Sequence, residues 1–198
     1  MPKQPKIIIL HASINDIEPL IWRRIEVDAD ISLRTLHHIL QAAFGWTSSH
    51  LHEFEVGDQT YTIHDEYLLE SIDEGEPVPL DDRKAKLGRL LFPGQRFTYL
   101  YDFGDSWRHT IHVERIAEVA EMRGYGHITD GARGGPPEDV GGPYGYMAFL
   151  DAIERKPRTQ EGRELLDWIG GKFDASAFDR RAANAALLRM AWNGWGRK

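Results

Sequence analysis

The sequence contains no cysteine, so disulfides, zinc ribbons, iron–sulfur clusters and thiol nucleophiles are excluded, and a metal would have to be held by His, Asp or Glu. No apolar run approaches the roughly 18 residues that a membrane-spanning helix needs. Met1 to Leu10 lacks the charged, apolar and small-residue succession of a secretory leader, so no membrane contact and a cytoplasmic location are expected. Positive charge is also scarce. Lys and Arg number 24 against 31 Asp and Glu, for a formal net charge of -7. That balance disfavours indiscriminate binding to nucleic-acid phosphates while leaving a local basic patch open.

What is present suffices for a core. Hydrophobic residues make up 41% and aromatic residues 11% of the 198 positions, which is ordinary globular usage. The length lies within the one-domain range of roughly 100 to 250 residues, so a single domain over 1–198 is expected.

Lys6 to Ser13 and Leu20 to Val27 are apolar-rich segments separated by Asn15, Asp16 and Pro19, the pattern of two paired strands. Ser32 then precedes Leu33, Leu36, Leu40 and Phe44 at helical spacing, and Gly45 follows as a stop, which predicts a helix over Ser32 to Phe44. His50 to Val56 and Thr60 to Ile63 flank Gly57-Asp58-Gln59 as a second hairpin. From Asp65 to Asp82 the chain is acidic and broken by Gly75, Pro77 and Pro79, which predicts a solvated peripheral loop. A short helix is expected between Lys84 and Leu91. Phe97 to Phe103 and Trp107 to Glu114 read as a third hairpin, with Phe97, Tyr99, Tyr101 and Phe103 sharing a core face with Trp107, His109, Ile111 and Val113. Gly131 to Gly145 is rich in Gly and Pro, hence a tight irregular loop. Pro143 opens a helical C-terminal part, carried on by Thr159 to Ile169 and Phe178 to Trp192, the last with Phe178, Ala182, Ala185 and Leu188 facing the core. Strands first and helices last is an α+β pattern: an antiparallel sheet of hairpins with an early packed helix and C-terminal helices.

The blocks IWRRIEV, AFGW, HLHEFEV, FTYLYDFGDSWRHTIHVE, PPEDVGGPYGY and KFDASAFD, in that order, resemble the plasmid pRiA4b ORF-three-like family over nearly the whole chain. YDFGDSW combined with PPEDVGG is far more specific than either alone. The resemblance implies an α+β fold built on antiparallel strands and a family without an established activity, some of whose members carry resolvase-like labels from association with mobile elements. Many members have cysteine beside the PPED block, whereas this chain has Gly134-Gly135 before it and Val140 after it. A cysteine-dependent role is therefore not implied here.

Several residues carry chemistry in principle. His50 and His52 are two apart on a strand and would project from one face, the beginning of a metal pair whose third ligand would come from His109, Asp102 or Asp105. The same histidines are equally readable as borders of a core face shared with Phe54 and Val56. In DFGDSWRH, Asp102 and Asp105 flank a glycine ahead of Trp107, Arg108 and His109, so acid, base and cation could gather at one turn; Asp and Gly are also ordinary turn residues. The letters DFG do not indicate a kinase, because no glycine-rich loop or catalytic HRD accompanies them. PPEDVGG holds Glu138 and Asp139 before a helix start, suited either to ligand recognition or to capping and close packing. The C-terminal Arg180, Arg181, Arg189, Arg197 and Lys198 with Trp192 and Trp195 form an imaginable nucleic-acid contact that the net charge disfavours.

The leading expectation is a ligand- or partner-binding module, linked through the resemblance to mobile elements, with His52, Asp105, His109, Glu138 and Asp139 around one cleft. The alternative is a metal-assisted hydrolase or nucleic-acid-processing enzyme using the same groups. No cofactor is identified, no metal is assigned and the partner is unspecified. Serine-resolvase chemistry ranks third, since Ser13 lacks the neighbouring tyrosine and arginine pattern.

Overall fold

Pairing of the apolar segments builds one sheet. The computed structural model describes residues 4–64, 75, 77–121, 124 and 126–194. Lys6–Ile14 (β1) and Trp22–Asp28 (β2) form the first antiparallel pair, with Leu10 opposite Ile25. Leu33–Phe44 (α1) follows. The Ser32 hydroxyl accepts the Thr35 N–H at its start, and Gly45, at φ 90°, donates to the Gln41 carbonyl at its end, so both boundaries use the residues the sequence offers. His52–Val56 (β3), Gln59–Thr62 (β4), Leu80–Asp81 (β5), a single helical turn Leu87–Leu90 (α2), Arg96–Tyr101 (β6), Trp107–Glu118 (β7) and His127–Ala132 (β8) complete the sheet region. Gly142–Glu154 (α3), Gln160–Trp168 (α4) and Arg180–Trp192 (α5) end it. The strand order is β5-β4-β3-β6-β7-β1-β2-β8, and β4–β5 is the parallel pair in an otherwise antiparallel α+β sheet.

The sheet has a dry face and a wet one, as antiparallel sheets commonly do. Phe97, Tyr99, Tyr101, Trp107, His109, Ile111 and Val113 all face the core and are buried, with Tyr101 paired to Trp107 and Tyr99 to His109. On the other face Arg24 bonds Glu114 at 2.9 Å and Arg108 lies 3.6 Å from Glu55. α1 packs on the dry face, and α5 packs on α1 and β8. The buried Arg23 guanidinium ties these parts together: Nε donates to Ala43 O at the α1 end, Nη1 to Ala132 O and Nη2 to Arg133 O, with the Phe178 ring 3.9 Å away.

Four expectations are corrected. Phe103 is not on the core face; it sits in the β6–β7 turn and is 42% exposed, because pairing stops at Tyr101 and the chain needs five residues to turn. α5 turns a different face inward: Leu187 and Met190 are buried while Ala182, Ala185 and Leu188 are exposed. Residues 127–132 were not expected to be a strand, and they extend the sheet beyond β2 as its edge. Of the acidic loop, positions 65–74 and 76 lie outside the described residues, but its end is not peripheral: Asp81 and Asp82 are buried, and the Asp82 N–H is bonded to Thr62 O.

Candidate functional site

Three segments distant in sequence meet at one end of the sheet. His50 lies just before β3, Asp102 follows β6, and Asp139 belongs to the PPEDVGG loop ahead of α3. The Asp102 N–H donates to Leu51 O at 2.9 Å, which ties the first two segments together. The third is docked by Asp105, whose carboxylate accepts the Gly141 N–H at 3.0 Å. A Cβ at Gly142 would collide with the Asp105 carbonyl, so this approach requires glycine. Asp102 and Asp139 both occupy left-handed backbone, at φ 56° and 57°, a conformation that aspartate tolerates better than most residues. The result is compact: one ligand atom from each of His50, Asp102 and Asp139 lies within 4.8 Å of the others.

The histidine nitrogen decides the character of this cluster. His50 Nε2 is 2.9 Å from Asp139 Oδ1 and 3.5 Å from Asp102 Oδ2, yet this buried nitrogen makes no aligned hydrogen bond. Two carboxylates flank it within ion-pairing distance. One imidazole and two carboxylates form a donor set that suits a divalent ion of intermediate hardness, such as Mn2+ or Zn2+. Asp139 is exposed, with 65% of its side-chain surface accessible, so an ion here would keep positions open to solvent.

Glu138 has another task. Its Oε1 accepts the Thr47 N–H at 2.8 Å, the Thr47 hydroxyl at 3.1 Å and the Tyr101 hydroxyl at 3.0 Å. Tyr101 in turn accepts the Ser49 N–H, and Trp46 Nε1 donates to Pro136 O at 2.9 Å. Glu138 therefore fastens the PPEDVGG loop to the 46–49 segment and so sets the position of its neighbour, Asp139. Burial, with Glu138 alongside, holds the Tyr101 hydroxyl protonated well beyond the usual range.

His52 and His109 point elsewhere. His52 faces the core with Phe54, donates from Nε2 to Asp82 Oδ2 at 2.9 Å, and stacks on His37 with ring centroids 3.6 Å apart. Asp82 also accepts from Arg34 Nε at 2.8 Å. Burial alone would raise the Asp82 pKa, but the bonds from His52 and Arg34 outweigh it and leave the carboxyl below its usual range. The protons of this network can be assigned. The Ser48 N–H donates to Gln41 Oε1, so Gln41 Nε2 must be the donor to the Tyr99 oxygen, and the Tyr99 proton is left for His37 Nδ1. His37 is thus neutral, in keeping with burial pushing its pKa well down. His109 Nδ1 donates to Trp107 O, and its Nε2 is buried without a partner.

A pH response follows from these histidines. Burial lowers the His109 pKa from 6.5 to about 4, so the unfolded chain takes up this proton first on acidification. The stability contributed by a neutral His109 is present above pH 6.5 and is lost as the pH falls towards 4, a loss on the order of 3 kcal/mol over that window. His37, His38 and His52 shift in the same direction, each chiefly through burial. Urea midpoints measured from pH 7.5 down to 4.5 should fall steeply for the natural chain and less steeply for His109→Phe; equal slopes would contradict the assignment.

Of the residues singled out in the sequence, the structure thus brings Asp105, Glu138 and Asp139 to one place and turns His52 and His109 into the core. His50, read from the sequence as a partner of His52, and Asp102, read as a third ligand or as an acid of the DFGDSWRH turn, both stand beside Asp139. Asp82 falls in the stretch whose letters predict a solvated loop, and its partners are 30 and 48 residues away.

The relatives agree with this fold and leave the chemistry open. The family model described as plasmid pRiA4b ORF-3-like protein matches residues 6–182. The uncharacterized protein y4hQ of Sinorhizobium fredii is 36% identical over 198 residues, covering 97% of this chain and 95% of the relative. A crystal structure of a protein of unknown function, MM3350 from Methanosarcina mazei Go1, superposes with a TM-score of 0.78 at 32% identity, covering 91% of this chain and 97% of that one. Among the described residues no helix is long and apolar enough to cross a membrane. With a matching family model over most of its length and the blocks HLHEFEV, YDFGDSW and PPEDVGG arranged as described, the chain belongs to the plasmid pRiA4b ORF-3-like protein family.

Proposed function

We propose that this protein is a divalent-cation-dependent binding module in which His50, Asp102 and Asp139 hold one ion and present its open side to a ligand. The supporting observation is the convergence of three potential ligand atoms within 4.8 Å, with a buried imidazole nitrogen that hydrogen-bonds neither flanking carboxylate. Glu138 and Asp105 position the loop that carries Asp139. His52 and His109 support the sheet beneath the site without entering it. Leu51 and Phe103, next in sequence to two of the proposed ligands, are exposed at 43% and 42%, a rim that suits a ligand with an apolar or planar part. A cytoplasmic setting and the mobile-element association implied by the family resemblance are compatible with this role.

Isothermal titration with MnCl2 and ZnCl2 tests it. One-site binding is expected, weakened in His50→Ala and Asp139→Asn by at least the roughly 10- to 100-fold that loss of an outer-shell partner causes, with circular dichroism unchanged. Absence of saturable binding by either ion, or equal affinity in the variants, would contradict it. A second reading, metal-assisted hydrolysis, is favoured by the exposure of Asp139, because a three-ligand site with open positions is the arrangement that activates water. Turnover of bis(p-nitrophenyl) phosphate by the Mn2+-loaded protein, lost in Asp139→Asn, would select it.

A further inference from the structure

A cavity lies at the far end of α3, about 20 Å along that helix from the PPEDVGG loop at a rise of 1.5 Å per residue. It has a volume of about 810 Å³, within the size range of small-molecule sites. Its walls come from five separate places: Arg133 after β8, the end of α3, the 156–158 connection, Leu166 of α4 and the 171–176 loop. The cavity is therefore made by the tertiary fold and is more than a dent in one loop. Its floor is apolar, with Ile153, Leu166 and Ala175 buried.

The polar groups have a sign. Arg133, Lys156, Arg158 and Lys172 line the cavity against Glu154 and Asp174, in a chain whose formal charge is -7. One of the two acids is already engaged: Asp174 Oδ1 accepts both the N–H and the hydroxyl of Ser176, at 2.9 and 2.6 Å. Arg158 is anchored, because its Nε donates to Ile153 O at 3.1 Å and so fixes the plane of its guanidinium at the rim. Arg133 lies between the Tyr146 hydroxyl and the Asp174 carboxylate, and its buried Nε makes no aligned hydrogen bond, which leaves that donor free for an additional acceptor. The anchored Arg158 guanidinium matches the paired oxygens of a phosphate, Arg133 and the lysines add charge, and the apolar floor accommodates an organic body.

We propose that this cavity binds a small phosphate-bearing organic anion, at a site separate from the cation cluster. Pyrophosphate and AMP are the probes, titrated against the full-length protein by NMR or calorimetry in EDTA, so that the His50 cluster plays no part. Saturable one-to-one binding is expected, weakened about tenfold or more by Lys172→Glu combined with Lys156→Glu. Both lysines are exposed, so the fold should survive, with circular dichroism as the check. Lys84→Glu, a charge reversal at an 84% exposed side chain away from the cavity, should leave the affinity unchanged. AMP binding more tightly than pyrophosphate would identify the apolar floor as part of the site, and the reverse order would assign it to the phosphate alone and overturn the organic part of the proposal. No saturation beyond a matched chloride control, or equal loss in the Lys84 variant, would overturn it entirely.

Discussion

Replacing Asp82 by alanine is expected to lower the unfolding free energy by about 3 to 5 kcal/mol, the usual cost of removing one partner of a buried ion pair. The carboxylate is fully buried, and one of its oxygens takes both the His52 Nε2–H at 2.9 Å and the Arg34 Nε–H at 2.8 Å. Without it the Arg34 charge stays in a site where its side chain is only 14% exposed, and the His52 N–H loses its acceptor. Asp82→Asn keeps the shape and removes the charge, so it should fall between the two. Urea denaturation at pH 7 measures all three proteins. An alanine variant within about 1 kcal/mol of the natural chain, the range of an exposed salt bridge, would show that the network is only a surface feature.

Trp107→Ala is expected to cost a similar 3 to 5 kcal/mol, for a different reason. Trp107 is wholly buried at the first position of β7, opposite Tyr101 and 5.8 Å from the Trp46 ring. Truncation opens a cavity beneath both β6 and the segment that Glu138 fastens. The indole N–H has no hydrogen-bond partner, so Trp107→Phe removes an unsatisfied donor along with some volume and should cost under about 1.5 kcal/mol. The contrast between the two substitutions separates volume from polarity. An alanine variant no less stable than the phenylalanine variant would mean that the side chain does not fill the core as described.

The sheet was largely legible because its strands alternate. Tyr99 and Tyr101 in β6, and Trp107, His109 and Ile111 in β7, occur every second residue and all are buried, and α1 announces its ends with Ser32 and Gly45. β8 was not legible: only Ile128 in it is buried, so it has almost no pattern to read, and its place depends on β2 lying alongside. α5 is rich in alanine, which marks no face clearly, and its inward residues proved to be Leu187 and Met190.

The site was legible as three segments more than as residues. His52 and His109 drew attention as strand histidines, yet strand alternation places them on the dry face with Phe54 and Tyr99. His50 precedes the strand, where alternation does not fix direction. The aim of Asp102 and Asp139 depends on left-handed backbone at φ 56° and 57°, which turn letters permit without specifying. Asp82 could be placed only by knowing that the chain returns beside β4 after residue 79.

One divalent ion held by His50, Asp102 and Asp139 would be visible directly. Anomalous difference density from crystals grown with Mn2+ tests it most directly. A peak is expected about 2.0 to 2.3 Å from His50 Nε2 and from one oxygen of each aspartate, absent in crystals of Asp139→Asn. An ordered cluster with no peak, or a peak bound elsewhere while these three side chains bond one another, would contradict it.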